Sequence, residues 1–220
     1  MKKQIKNIYI FSAGSTGRDI LQIVDQINEK QLVWKVMGFV DNNSKLIGKK
    51  IYGYSVYAHH ELPISNKYYA ICGNGNPKIR KKIVKNEIGP NKYILATLIH
   101  PNVVISKDVK INEGTIIFPG AIISYNVKID SCVWIDANVL IGHDSVIGKY
   151  SSIFPSVTIN GNCKIGRECI IGSGAIINIG NSIGKNSSIG LGCTITNNIS
   201  DNTTILNFPR NSIIKHNRKT

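Results

Sequence analysis

The sequence predicts an α/β N-terminal domain followed by an all-β parallel β-helix, and three observations carry that prediction. An isoleucine returns every sixth residue from Ile99 to Ile195 without a gap. The first forty residues read as strand, glycine turn, helix and strand. A second glycine turn, Gly73-Asn74-Gly75-Asn76-Pro77, follows a further apolar run. A period of six fits neither the 3.6 of a helix nor the two of a strand, and it is the period of a hexapeptide solenoid. The two halves meet near His100-Pro101, so the expected division is residues 1–96 and 97–220.

Taken in order, residues 6–11 form a buried strand and Ser12-Ala13-Gly14-Ser15-Thr16-Gly17 a turn. Ile20, Leu21, Ile23, Val24 and Ile27 follow at helical spacing, placing a helix over 17–29. Residues 33–40 make a second strand ending at Asp41-Asn42-Asn43, and residues 68–73 a third. Pro77 opens a basic helix that runs to residue 87, and a last strand over 93–99 leads into the repeat. Both glycine turns follow parallel strands and so converge on one sheet edge. There, amide groups at a helix N-terminus suit a pyrophosphate. The fingerprint is incomplete, since Ser12 stands where its first glycine would be, and a plain strand–helix connection explains the same residues.

In the repeat, the residue after the isoleucine is small or turn-forming in most units, as in Gly142, Gly148, Gly166, Gly172, Asp130 and Asn160. These are expected to supply positive φ at the corners. The residue two before is small or β-branched, as in Val127, Ala121, Cys163 and Cys169. Three hexads then close one triangular coil, and each residue lies over the one 18 positions later. Coils stack at the strand spacing of about 4.8 Å. The solenoid is expected over about 97–200, with a capping segment at 207–214 carrying one more strand.

Composition narrows the function. The chain of 220 residues has a formal net charge of +14 spread through both halves, which suits anionic small molecules. It shows no aromatic–basic interleaving for nucleic acid. No stretch is long and apolar enough for membrane insertion, no leader pattern opens the chain, and none of the five cysteines forms a CxxC pair. The expectation is a cytoplasmic protein with buried free thiols. The repeat carries no regular threonine ladder, which speaks against a purely structural solenoid.

Of the histidines, His143 lies well inside the repeat, at a corner, followed by Asp144. A carboxylate there orients an imidazole and raises its basicity. A surface histidine beside a surface aspartate is the plainer alternative. One coil on stands Gly161, whose bare amide suits an oxyanion in acyl transfer, or which is simply a corner glycine. Zinc is not expected, because only one histidine is available on the coils.

The chain resembles the sialic acid O-acetyltransferase and bacillosamine N-acetyltransferase family of hexapeptide-repeat sugar acyltransferases. The resemblance rests on residues 8–17, Gly38-Phe39-Val40-Asp41-Asn42, Gly75-Asn76 with Ile79-Arg80-Lys81-Lys82-Ile83, Leu98-Ile99-His100-Pro101 and Ile141-Gly142-His143-Asp144. Phe208-Pro209 resembles the family's C-terminal Gly-x-Pro-Ala-Lys. It implies a Rossmann-like domain, a left-handed β-helix and a homotrimer with acetyl-CoA between adjacent β-helices. It implies His143 as general base, Asp144 as its tuner and Gly161 as donor to the thioester oxygen. Ser152, Gly161, Ser173 and Leu191 would lie along the acetyl-CoA. Gly14, Ser15, Thr16, Asp41, Asn42 and Gly75 would hold the nucleotide. Ser12, the Ser15-Thr16-Gly17 run and Ser152 depart from the family's glycine, Gly-His-Gly and second histidine. The expected function is acetylation of a nucleotide-linked 4-amino sugar in surface glycan biosynthesis. Sialic acid O-acetylation and a non-catalytic nucleotide-sugar-binding trimer stand as alternatives.

Overall fold

The computed structural model describes residues 5–207; the expected capping segment and the Phe208-Pro209 likeness fall outside the described residues, save Asn207. The α/β region orders β1 (Lys6–Phe11), α1 (Ser15–Lys30), β2 (Trp34–Val40), β3 (Lys50–Ile51), β4 (Tyr54–Tyr57), β5 (Tyr69–Cys72), α2 (Pro77–Ile83) and β6 (Ile94–Leu95). The sheet runs β3-β4-β2-β1-β5-β6, parallel except for the β3–β4 hairpin, which the periodicity did not reveal. The strand expected over 93–99 is split. Ile94–Leu95 closes this sheet, and Leu98–Ile99 opens the β-helix. Ser12 adopts φ 110°, so the serine sits in the backbone region that favours the glycine it replaces. A Cβ on Gly17 would run into the Ser12 carbonyl, which is why helix and strand approach so closely only there.

The β-helix pairs each two-residue strand with the one 18 residues on, as in Ile116–Trp134 and Ile117–Ile135. Isoleucines and the residues two before them fill a continuous core from Ile117 to Ile195. Inward Ser145 and Ser151, and inward Cys163 and Cys169, donate to carbonyls one turn on, so the polar atoms inside the prism are satisfied. All five cysteines are buried and unpaired. Six coils form, and the last step shortens, with Ser188 pairing Thr204 rather than a residue 18 on.

The corner expectation needs correction. Positive φ falls three residues after each isoleucine, at Asn126, Asp144, Asn162, Gly174 and Gly180, not on the glycine directly after it. That glycine is demanded by contact between coils. A Cβ on Gly142 would lie 2.5 Å from the Gly161 nitrogen, and one on Gly148 2.6 Å from the Arg167 nitrogen.

The prism's three faces differ in what they show outward. The docked face presents Leu98, Ile116, Trp134 and Ser152, all buried beneath the α/β region. The apolar face presents Val104, Ile122, Leu140 and Ile176, all exposed. The lysine face presents Lys110, Lys128 and Lys164. We number as edge 1 the corner column between docked and apolar faces, and as edge 2 that between apolar and lysine faces.

Docking of the α/β region rests on α1, whose Ile20, Ile23 and Val24 pack in one cluster with Leu98, Ile116 and Trp134, and on Arg80 of α2. Arg80 is 1 % exposed and has no carboxylate partner among the described residues. Its guanidinium donates to the carbonyls of Cys132, Asn74, Tyr150 and Ser151 and to Ser152 Oγ. Desolvation pushes its pKa down to about 10, still charged at neutral pH. Arg80→Met should lower unfolding stability by about 3 kcal/mol in urea titration, because several buried carbonyls lose their donor together. An unchanged midpoint would deny Arg80 this role.

At edge 1, His100 Nε2 lies 2.7 Å from Gln26 Oε1, and its Nδ1 accepts from the Asn102 amide at 3.0 Å. Burial lowers the His100 pKa below its ordinary 6.5. The native state therefore binds this proton less readily than the unfolded chain. The contribution is full above the unfolded value and is lost as pH falls through the folded one. Urea stability should drop between pH 7 and 5, and His100→Gln should flatten that drop.

Candidate active site

His143 projects from edge 2 in the third coil. The αL ladder Asn126–Asp144–Asn162 turns the chain there, and the Asp144 and Asn162 amides donate to the carbonyls of Tyr125 and His143. This folding aims the Asp144 carboxylate back at the imidazole, with Nδ1 2.8 Å from Oδ2. The other carboxylate oxygen accepts from Asn126 Nδ2 at 2.7 Å. The Asn126 bond first, then the His143 bond, hold Asp144 below the usual carboxylate range. With Nδ1 engaged, Nε2 is the ring nitrogen without a hydrogen-bond partner among the described residues, on a side chain that is 52 % exposed.

Gly161 lies directly over the ring. A Cβ there would stand 2.5 Å from Nε2, so only glycine admits this imidazole position. Among the described residues the Gly161 amide donates to no acceptor, and its carbonyl accepts from Gly180. The corner thus joins an imidazole tethered by Asp144 to an amide with no acceptor one coil on. Gly161→Ala should expel the ring. The His143 imidazole signals in an NMR spectrum should move while the thermal midpoint stays within a few degrees; unmoved signals would place the ring elsewhere.

Ser173 and Leu191 stack one coil apart, as the 18-residue rule requires, with the Gly192 amide donating to the Ser173 carbonyl. They lie on edge 1, however, across the apolar face from His143. Ser152 corrects an expectation. It is fully buried on the docked face, where its hydroxyl donates to the Gly75 carbonyl at 2.6 Å, so a cofactor cannot reach it. Gly75 is corrected with it. It is buried against Phe154, and a Cβ would lie 3.4 Å from that ring. Both residues are used up in joining the two halves.

A cleft does border the turns, though its lining differs from the residues expected there. A cavity of about 270 Å³ lies beyond the carboxyl ends of β1, β2 and β5 and takes in Ser12, Asp41 and Asn42. It also takes in Asn74, Ile79, Lys82 and Glu87, which the sequence reading passed over. The basic Lys82 in a helix flanking a glycine turn was the available signal. Asn42 donates to Glu87 at 2.9 Å, and burial raises the Glu87 pKa. The Asp41 carboxylate accepts from the amides of Ala13 and Asn43, so it braces the turn that carries Gly14. Thr16 donates to the Gly73 carbonyl and ties the two glycine turns together. Gly14 caps α1 without a side-chain acceptor, and Ser15 beside it is exposed. The described residues contain no cluster of three or more side chains able to hold a metal, and no helix long and apolar enough to cross a membrane.

Comparison with known proteins agrees with this architecture. Residues 7–86 match the family described as PglD N-terminal domain, and residues 144–178 match bacterial transferase hexapeptide (six repeats). The chain thus has the fold of an α/β module joined to a left-handed hexapeptide-repeat β-helix. No curated protein matches it. The acetyltransferase domain of PglB from Neisseria gonorrhoeae FA1090 shares its fold at 22 % identity and TM-score 0.82, over 92 % of this chain and 97 % of that one. PerB from Caulobacter crescentus, solved with CoA and GDP-perosamine, is similar at 18 % identity and TM-score 0.80, over 94 % and 97 %. WeeI from Acinetobacter baumannii AYE is similar at 23 % identity and TM-score 0.80, over 92 % and 97 %.

Proposed function

We propose that this protein is an acetyl-CoA-dependent N-acetyltransferase acting on a nucleotide-linked amino sugar, assembled as a cytoplasmic homotrimer. The observation that carries the reading is the His143–Asp144 pair set over Gly161, in a chain that also holds a cleft at its α/β turns. The fold is shared with PerB, which was solved with CoA and GDP-perosamine, and with a PglB domain solved with acetyl coenzyme A. Five buried, unpaired cysteines suit a reducing compartment.

In the proposed reaction the sugar amine attacks the thioester carbon, and His143 Nε2 takes the amine proton as the C–N bond forms. Asp144 holds the tautomer and supports the imidazolium. The Gly161 amide donates to the tetrahedral oxyanion. Collapse breaks the C–S bond, and the CoA thiolate leaves and recovers the proton from His143. The thioester is already activated, so no covalent enzyme intermediate is needed.

What supports the trimer is which surfaces are apolar. Val104, Ile122, Leu140 and Ile176 form one exposed face, and exposed Tyr125, Ile179 and Leu191 sit on the two edges flanking it. Three prisms turning this face inward close a ring in which edge 2 of one copy meets edge 1 of the next. That contact unites groups one chain keeps apart, namely His143 and Gly161 on edge 2 and Ser173 and Leu191 on edge 1. It also brings up the α/β region, whose Gly75 rests on Phe154 of edge 1.

The test mixes purified protein with acetyl-CoA and UDP-, GDP- and dTDP-linked 4-amino sugars, plus sialic acid, and reads thiol release. Release with one amino sugar is expected, falling at least a hundredfold in His143→Ala, within the range for a general base. Release with sialic acid alone would transfer the reading to O-acetylation. Calorimetric binding of a nucleotide sugar without binding of CoA would make the protein a scaffold.

A further inference from the structure

A second cavity, of about 360 Å³, opens along edge 1 between α1 and the first three coils. Asp19, Gln22 and Gln26 of α1 line one side, and Phe118, Pro119 and Asp136 of the coils line the other. Its volume is at the small end of ligand pockets, roughly 300–1,000 Å³. Among the described residues no lysine or arginine lines it, in a chain of net charge +14. Its polar lining is Asp19, Gln22, Gln26, His100, Asn102 and Asp136; the Asp136 carboxylate already accepts from Trp134 Nε1 and the Ala137 amide, and Gln26 from His100, so the Asp19 carboxylate and the Gln22 and Asn102 amides meet whatever enters. Such a lining donates to and accepts from hydroxyl and amine groups and repels a carboxylate or phosphate.

Tyr125 is a second unexplained feature. It sits on edge 2 one coil before His143, with its carbonyl held by the Asp144 amide and its ring 68 % exposed. Rotation about an axis parallel to the β-helix leaves heights unchanged. In the ring of three, each coil of edge 2 therefore faces the same coil of a neighbour's edge 1. The partner's Tyr125 then stands level with Phe118 and Pro119, and the partner's His143 level with Asp136. The α/β region covers the docked face from Leu98 to Ser152, the earlier coils, whereas Ser173 and Leu191 lie on later ones. The acceptor thus arrives from the Tyr125 side of His143, and the thioester from the Gly161 side.

We infer that the edge 1 cavity holds the sugar of the acceptor, that the partner's Tyr125 forms its outer wall, and that its acidic lining admits amino sugars while excluding acidic ones. This rests on the trimeric transferase reading above. The tyrosine ring covers the apolar C–H face of the sugar, and Asp19 attracts its amine. The nucleotide lies outside this cavity, in the cleft lined by Asp41 and Lys82.

Calorimetry with the full-length protein separates the possibilities, using UDP-, GDP- and dTDP-linked 4-amino sugars against free UDP, GDP and dTDP. Tyr125→Ala should weaken the nucleotide sugar that binds by about tenfold, the size of a lost ring contact, and leave its free nucleotide unchanged. Tyr125→Phe should restore it, and Asp19→Lys should weaken the amino sugar by a similar factor. In turnover the loss should fall on acceptor KM rather than on kcat or on the KM for acetyl-CoA. Equal loss for free nucleotide, no loss, or dissociation of the trimer on sedimentation would overturn the assignment. Wild-type binding without acetyl transfer would sink the transferase reading and leave this pocket standing. Transfer with Tyr125→Ala at unchanged acceptor KM would do the reverse. Wild-type protein that binds no nucleotide sugar would overturn both.

Discussion

Parallel pairing of each coil with the next, 18 residues on, is the constraint on which the rest of this protein depends. Neighbouring coils lie at the strand spacing of about 4.8 Å, so where corner backbones approach most closely there is no room for a side chain. Gly142, Gly148, Gly166 and Gly172 answer that steric demand, each lacking a Cβ that the next coil would strike. The inward column is equally restricted. It takes isoleucine alternating with valine, alanine, serine or cysteine, and the polar members donate to the carbonyl one turn on. A regular stack of this kind turns sequence distance into height. That is why His143 and Gly161, 18 apart, share one corner and Ser173 and Leu191 share another.

Because the interior is uniform, function resides in what the three faces show outward. The docked face gave up Leu98, Ile116 and Trp134 to a joint core with α1. The apolar face keeps its branched side chains in the open, and apolar exposure spreads from it onto both flanking edges. Burying that face against copies of itself removes the largest hydrophobic surface of the β-helix. The same contact brings the proposed base beside the surfaces proposed for thioester and sugar. In this reading one apolar contact both holds the assembly and completes its sites.

The junction between the two halves explains why two candidate residues have structural duties instead. Arg80 is a buried cation with no anion beside it among the described residues, solvated by backbone carbonyls from both sides of the seam. Its charge-assisted hydrogen bonds fix α2 against coils two to four. Ser152 and Gly75 complete that arrangement through one short hydrogen bond, which leaves neither free for a ligand. The rigidity has a purpose in the proposed enzyme, since the cleft near α2 must hold its height relative to His143 of a neighbouring copy.

The hexad period was sufficient by itself to determine the solenoid, its inward residues, the corner position of His143 and the stacking of Gly161 over it. Repeat structure is local and periodic, so a one-dimensional pattern carries it. The βαβ unit and the helices of the α/β region were legible for the same reason, in apolar spacing and glycine turns. Only the tertiary structure decided which face would be covered, since Leu98 and Ile122 look alike in the sequence and one is buried while the other is exposed. It also decided that the glycines directly after the isoleucines serve contact rather than positive φ, that Ser152 and Gly75 are consumed in the seam, and that Lys82 and Glu87 line the cleft. Those outcomes depend on which surfaces meet across long sequence separations, as Arg80 does with Tyr150, and no short-range pattern records such a meeting.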